Sequence, residues 1–361
     1  MDRKIWRNFD FVLLAATVLL IAFGIAMVYS ATLDTPDLQD LPRRQATWGL
    51  VGLALMLLVA AIDYRFLENL QKALYALTIA SLLLVLFVGQ ATHGAQRWIS
   101  GSSFQPSELA KVLIIVTLAQ FLAQREKEIG RFRYILISII LVAVPMGLIY
   151  RQPHLGTVIV LAVVWLAMVL IAGMRLLHLG VFGLVGLLSM PLIWISLKDY
   201  MQQRLLLFIN PGRDPAARYN IDQALISIGS GGWLGKGYAS GSQSQLHFLR
   251  VRHTDFIFSV IGEEMGFVGA LVLFALIAIV LWRILRAASL ARDSFGRLIA
   301  CGVAALIFFQ SFVNIGMNLG LLPVIGIPLP FISSGGSSLI TLLIAEGLVQ
   351  SVVMRHRKIE F

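Results

Sequence analysis

A handful of ionisable side chains interrupt stretches that are otherwise apolar: Glu108 and Lys111, Asp255, Glu263 and Glu264, and Glu346. A charge surrounded by hydrocarbon is expensive and is a functional candidate by default. Glu108 and Lys111 stand at i and i+3, on one helix face, a spacing that suits a local ion pair. Alternatively, Lys111 reaches across to Asp255 and keeps that carboxylate ionised and oriented, as a general base requires. Asp255 opens an apolar run, where a helix N-terminus favours an anion and Thr254 can serve as the cap. Ser259, Gly262 and Gly266 follow on the same face, and small residues let a second helix come close. Asp255 therefore reads either as a capping carboxylate or as a base held at the mouth of a packed seam. Glu263 lies about 12 Å further along such a helix, and Glu264 points nearly opposite Asp255. Those two are expected to be structural polar groups, bonded to partners such as Asn314 and Asn318.

Two loops also have chemical character. Gly229 to Gly237 resembles a phosphate-binding loop but fails the Walker pattern, because Ser230 occupies the first glycine position and Gly237 stands where Ser or Thr belongs. Ser333, Ser334, Gly335 and Gly336 form a turn ahead of the last apolar run, and such a turn can offer backbone N–H groups to an anion. An ordinary turn reads equally well from the pattern. Cys301 is the only cysteine, and the 6 histidines are scattered. That excludes an intrachain disulfide and a thiolate metal cluster.

The elements that must position these groups are membrane helices. Of 361 residues, 58% are hydrophobic and only 13% charged, against about 25% charged in soluble domains. The mean hydropathy is +0.84. Runs of about 20 apolar residues, with about 17 as the lower limit, can cross a bilayer. They fall near 11–29, 46–62, 73–90, 107–124, 134–150, 157–173, 178–197, 256–282, 298–320 and 338–354. The first run is too long for a signal-peptide core. The expected fold is therefore an all-α integral membrane protein, a polytopic bundle of about ten transmembrane helices in a single domain over 1–361. The net charge of +10 reflects Lys and Arg in short loops, not nucleic-acid binding. These cluster on one side of the membrane, while the short loops opposite hold only Arg43, Arg44, Arg97 and Arg151. The positive-inside rule then puts both termini in the cytoplasm. One large extracytoplasmic loop, about 198–255, breaks the trend. It carries Lys198, Arg204, Arg213, Arg218, Lys236, Arg250 and Arg252. These suit either headgroup contact or a site for a phosphate-bearing lipid.

Four blocks then carry a resemblance. They are Phe104-Gln105-Pro106-Ser107-Glu108-Leu109-Ala110-Lys111, Asn210-Pro211-Gly212-Arg213-Asp214-Pro215, His253-Thr254-Asp255-Phe256-Ile257-Phe258-Ser259-Val260 and Leu329-Pro330-Phe331-Ile332-Ser333 to Ser338. In this order they resemble signatures of the SEDS family of shape, elongation, division and sporulation proteins, over nearly the whole chain. The resemblance implies a peptidoglycan glycosyltransferase that polymerises lipid II at the outer face of the bacterial cytoplasmic membrane, with a class B penicillin-binding protein, a transpeptidase, as partner. It implies that Asp255 is catalytic, supported by Lys111 and Glu108. Candidate substrate-binding groups are Arg97, Arg204, Arg213, Arg218, Ser333, Ser334, Gly335 and Gly336. A divalent cation, Mg or Mn, or the loop cations would stabilise the leaving diphosphate, and no nucleotide is required. The chain departs from the family at His154, which replaces an aspartate in Gln152-Pro153-His154-Leu155-Gly156, and at Ser334, where many members have tyrosine. The short tails favour the elongation (RodA-like) branch over the division (FtsW-like) branch. A lipid II flippase and a noncatalytic scaffold are the rival readings. Labelled lipid II in liposomes separates them, since a transporter moves it between leaflets and a polymerase lengthens it.

Overall fold

The computed structural model describes residues 6–33, 35–88, 90–92, 95–98, 105–210, 212, 214–246, 248–249 and 251–356. Its helices are α1 (Phe11–Thr32), α2 (Leu41–Ala61), α3 (Gln71–Val88), α4 (Pro106–Ala123), α5 (Phe132–Arg151), α6 (Leu155–Ile171), α7 (Leu176–Ser196), α8 (Asp199–Ile209), α9 (Pro215–Gly231), the single turn α10 (Ser242–Gln245), α11 (Ile257–Leu290), α12 (Ser294–Asn318) and α13 (Gly336–Met354). Between α3 and α4, β1 (Gln90–Thr92) and β2 (Ala95–Trp98) pair antiparallel. Among the described residues, eight helices are long and apolar enough to cross a membrane, and α6 and α7 contribute two shorter apolar segments. The chain is a multi-pass membrane protein, and each predicted span coincides with one of these helices to within a few residues, apart from α11, which runs on to Leu290.

Buried polarity shows which helices form the centre. In α4, α12 and α13 the buried share of the span is 83%, 78% and 83%, against 28% in α2 and α5. These three carry Glu108, Lys111, Gln310, Asn314, Asn318, Glu346 and Gln350, all buried. In hydrocarbon such groups must find partners inside the bundle. Glu346 accepts from Thr17 Oγ1 at 2.8 and 3.0 Å. Gln350 Nε2 donates to the Asp10 carbonyl at 2.9 Å, and Asp10 is paired with Arg283 at 2.7 Å. α13 lies close on α2 because Gly52 and Gly347 carry no side chain at the contact; a Cβ at Gly347 would sit 2.7 Å from the Met56 carbonyl oxygen. α7 lies at the rim with most of its leucines and valines outward, as on a helix that faces lipid.

The 198–255 segment is largely helical, and its 231–246 stretch is wedged between α1 and α11. Tyr238 Oη donates to the Ala26 carbonyl at 2.7 Å, and Gln245 Nε2 to the Ser30 carbonyl at 3.1 Å. The wedge enters a break in α11. Gly266 has φ 63° and ψ −158°, a region open essentially only to glycine. Two helical hydrogen bonds are lost there and exchanged for bonds to the loop. Phe267 and Val268 N–H donate to Gly232 and Trp233 carbonyls at 2.9 and 3.1 Å, while the Glu263 and Glu264 carbonyls accept from Lys236 and Gly237 N–H, both at 3.0 Å. The glycine-rich 229–237 stretch thus supplies backbone pairing to a broken membrane helix, the arrangement that lets irregular backbone exist at that depth.

Candidate functional site

A cavity of about 420 Å³ opens where the α5–α6 turn, the α7–α8 corner, the turn before α11 and the loop after α12 meet. Pro153, His154, Met201, Arg204, Asp255 and Gly326 are among its lining residues. Asp255 is half-buried and lies two residues ahead of α11. The N-cap is Phe256, and no side chain caps the helix. Thr254, expected as the cap, instead directs its hydroxyl weakly to the Val251 carbonyl at 3.5 Å, because residues 251–256 are a turn. Opposite Asp255 stands Gly326, with φ 76°. The point where its side chain would begin is 3.6 Å from Asp255 Oδ2 and 4.0 Å from Arg204 Nη1. One carboxylate and one guanidinium therefore face the same small volume. Arg204 is also tethered to that wall, donating to the Val324 carbonyl at 3.3 Å.

Glu108 and Lys111 form a buried local pair, Nζ to Oε2 at 2.8 Å, with side chains 5% and 2% exposed. Pro106 in the first turn of α4 starts the helix that presents them. His154 and Ser338 are among the electrostatic and hydrogen-bonding neighbours of Glu108. His154 also lines the cavity, and its Nδ1 is 2.7 Å from Thr157 Oγ1. It therefore stands between the buried pair and the Asp255 cavity. The sequence marked this histidine as a departure and left it outside the site. The 323–326 wall was missed outright, although Pro323, Gly326 and Pro328 mark a shaped loop.

Other candidates take different places. Arg218 lies outside the cavity lining and pairs along α9 with Asp222 at 2.7 Å. Arg213 lies outside the described residues, and of Arg97 only the backbone, in β2, is described. Ser333 and Ser334 use their groups internally: the Ser333 hydroxyl donates to the Thr254 carbonyl at 2.7 Å, and Ser334 N–H donates to the His253 carbonyl at 2.9 Å. Gly335 is the N-cap of α13, and Gly336 packs under the Trp48 ring. None of these four lines the cavity. Glu263 and Glu264 have partners other than the expected Asn314 and Asn318. Glu263 accepts from Lys236 Nζ at 3.0 Å, Gln243 N–H at 2.8 Å and Ser244 N–H at 3.1 Å. Glu264 accepts from Ser30 Oγ at 2.6 Å and Ala239 N–H at 3.1 Å. Asn314 and Asn318 bond to the Asp255 carbonyl instead. Glu263 is thus held by the wedge, and Glu264 by the wedge and α1 together. Burial, with Arg252 alongside, holds the His253 imidazole below its ordinary 6.5, and burial near Glu264 pushes the Tyr238 phenol up.

Comparison with known proteins identifies the family. Residues 11–358 match the FTSW_RODA_SPOVE family, described as cell cycle proteins. The chain is 40% identical over 356 residues to the peptidoglycan glycosyltransferase MrdB of Escherichia coli K12, covering 97% of this chain and 95% of the relative. It is 36% identical over 370 residues to a probable peptidoglycan glycosyltransferase FtsW of Geobacter metallireducens, covering 99% and 98%. Among solved structures it is similar to the rod shape determining protein RodA of Thermus thermophilus, with a TM-score of 0.73, 32% identity and coverage of 98% and 99%. It is also similar to a chain in a structure described as the coordination of polymerization and crosslinking by a peptidoglycan synthase complex, with a TM-score of 0.82, 33% identity and coverage of 96% and 97%. With sequence and fold matched along nearly its full length, the chain belongs to the FtsW/RodA/SpoVE family, the SEDS glycosyltransferases of the bacterial cell wall.

Proposed function

We propose that this peptidoglycan glycosyltransferase extends glycan strands at the Asp255 cavity, with Asp255 as general base. The supporting observation is the convergence of Asp255 Oδ2 and Arg204 Nη1 on the open face of Gly326. The substrate is lipid II, a disaccharide-pentapeptide carried on undecaprenyl diphosphate. Asp255 accepts the proton of the 4-hydroxyl on the acceptor N-acetylglucosamine. The freed oxygen lone pair attacks C1 of N-acetylmuramic acid at the donor glycan's reducing end. The C1–O bond to phosphate breaks, its electron pair leaves with undecaprenyl diphosphate, and C1 inverts. Arg204 is placed to meet the charge growing on that diphosphate. The apolar lining, including Leu155, Ile159, Leu197 and Leu205, suits the lipid end of such a substrate.

Among the described residues no three His, Cys, Asp or Glu side chains gather into a protein-only metal site. Asp255 fits the other mode, in which Mg²⁺ is held by one or two carboxylates plus substrate phosphates. Such an ion would neutralise charge on the leaving group. The Lys and Arg distribution supports cytoplasmic termini and a cavity at the outer face. The likeness to a chain of a peptidoglycan synthase complex supports a class B penicillin-binding protein as partner, and the likeness to a rod shape determining protein supports a role in elongation. Polymerisation of lipid II by the purified chain in nanodiscs, alone and with that partner, tests the reading. Asp255→Ala should stay folded and make no glycan; full-length strands from that variant would overturn the assignment.

A further inference from the structure

The turn that carries Asp255 is held carbonyl by carbonyl. The His253 oxygen accepts from Ser334 N–H at 2.9 Å, and the Thr254 oxygen accepts from Ser333 Oγ at 2.7 Å. The Asp255 oxygen accepts two bonds, from Asn318 Nδ2 at 2.9 Å and Asn314 Nδ2 at 3.1 Å. Both asparagines are fully buried, at 0% exposure, one turn apart on α12. Asn318 is itself held in place, since its Oδ1 accepts from Ser259 N–H at 3.2 Å and Ser259 Oγ at 2.6 Å. Asn314 does more than hold one wall. Its Nδ2 also donates to the Ile327 carbonyl at 2.8 Å, so both amide protons are spent on two carbonyls. Ile327 follows Gly326, and the same loop accepts from Arg204 at Val324. One side chain therefore spans the wall bearing the carboxylate and the wall to which the guanidinium is tied.

We propose that Asn314 is a positioning residue for glycosyl transfer: its amide clamps the Asp255 and Ile327 carbonyls together and so sets the spacing between the Asp255 carboxylate and the Arg204 guanidinium. This rests on Asp255 acting as the base. Two facts separate the clamp from ordinary helix packing. Its acceptors are non-helical carbonyls on both sides of the cavity. Gln310, one turn further along the same face of α12 and 1% exposed, has a side-chain oxygen with no hydrogen-bond partner among the described residues and serves as an internal control.

The test compares Asn314→Leu, Asn314→Asp, Gln310→Leu and Asp255→Ala in the full-length chain in nanodiscs, measuring melting and the kcat and KM for lipid II. Loss of about 1 Å of placement costs on the order of 100-fold in rate. Asn314→Leu should lower kcat about 10–100-fold with KM changed less than about 3-fold, the cost typical of removing the hydrogen-bond partners that orient metal ligands. Asn314→Asp, which keeps the shape and loses both donated protons, should fall in the same direction and decides the matter if the leucine variant does not fold. Gln310→Leu should hold kcat within about 2-fold. Folded Asn314 variants that turn over like the parent, while Asp255→Ala is dead, would overturn the clamp and spare the base. An equal kcat loss in Gln310→Leu would also overturn it, by making the effect a general one of α12 packing. An active Asp255→Ala would instead remove the reading on which the clamp rests.

Discussion

Replacing Lys111 with Met would leave the Glu108 carboxylate, 5% exposed, without its cation. At the observed 2.8 Å the pair's attraction is about 6 kcal/mol for an effective dielectric constant near 20. Desolvation of the two ions takes back most of that, so the intact pair adds little net stability. Removing one partner is different: an uncompensated buried charge costs about 3–5 kcal/mol. Lys111→Met should therefore unfold at markedly lower temperature or denaturant. The double change Glu108→Gln with Lys111→Met removes both charges and should return to within about 1 kcal/mol of the parent. Thermal melts in nanodiscs measure the first quantity and lipid II polymerisation the second. Because Glu108 neighbours His154 and Ser338 and His154 lines the cavity, the double variant should recover its fold and still polymerise slowly. A double variant as unstable as Lys111→Met would refute the unpaired-charge argument. One with full stability and full turnover would refute the supporting role of the pair.

Gly266→Ala should destabilise by several kcal/mol, about 1–3 from a backbone conformation closed to side chains and about 1–3 from overpacking, since the new Cβ would lie 2.4 Å from Gly235 N. Gly180→Ala, with nothing within 4 Å, is the control that should melt unchanged or slightly higher. In the α4–α5 turn, a Ser294 hydrogen bond and Arg297, at 2.8 Å, hold Glu126 below its ordinary value of 4.5. That contribution is present above the unfolded value and is lost as pH falls through the lower folded one. Melting curves of Glu126→Gln should therefore converge with the parent's in acid and separate from them toward neutral pH.

The spans were legible because hydrophobic length is a strong, local signal: α1, α4 and α13 begin or end within a few residues of the apolar runs. The Glu108–Lys111 pair was legible for the same reason, as an i, i+3 spacing. Asp255 could be placed at the mouth of α11, and the seam of Gly262 and Gly266 is as tightly packed as their size implies. Partnerships across elements were not legible. Nothing in the spacing of Glu263, Glu264, Asn314 and Asn318 says that the wedge reaches the first two while the turn before α11 takes the others. The break at Gly266 was also hidden, because a small residue in an apolar run reads as close packing whether or not the backbone turns there. The Arg218 bond to Asp222, four residues on, follows the i, i+4 spacing of a helix, a signal the sequence carries but the charge count does not single out.

The exchange of backbone bonds at Gly266 bears on how the protein is made. In order of synthesis, the 232–237 segment leaves the ribosome roughly thirty residues, or about 1.5–6 seconds, before the break it will serve. A span entering lipid with its carbonyls and amides bare forfeits several kcal/mol for each. Chain order places the complementary strip ahead of the break that needs it, so its backbone groups are already made when α11 is synthesised.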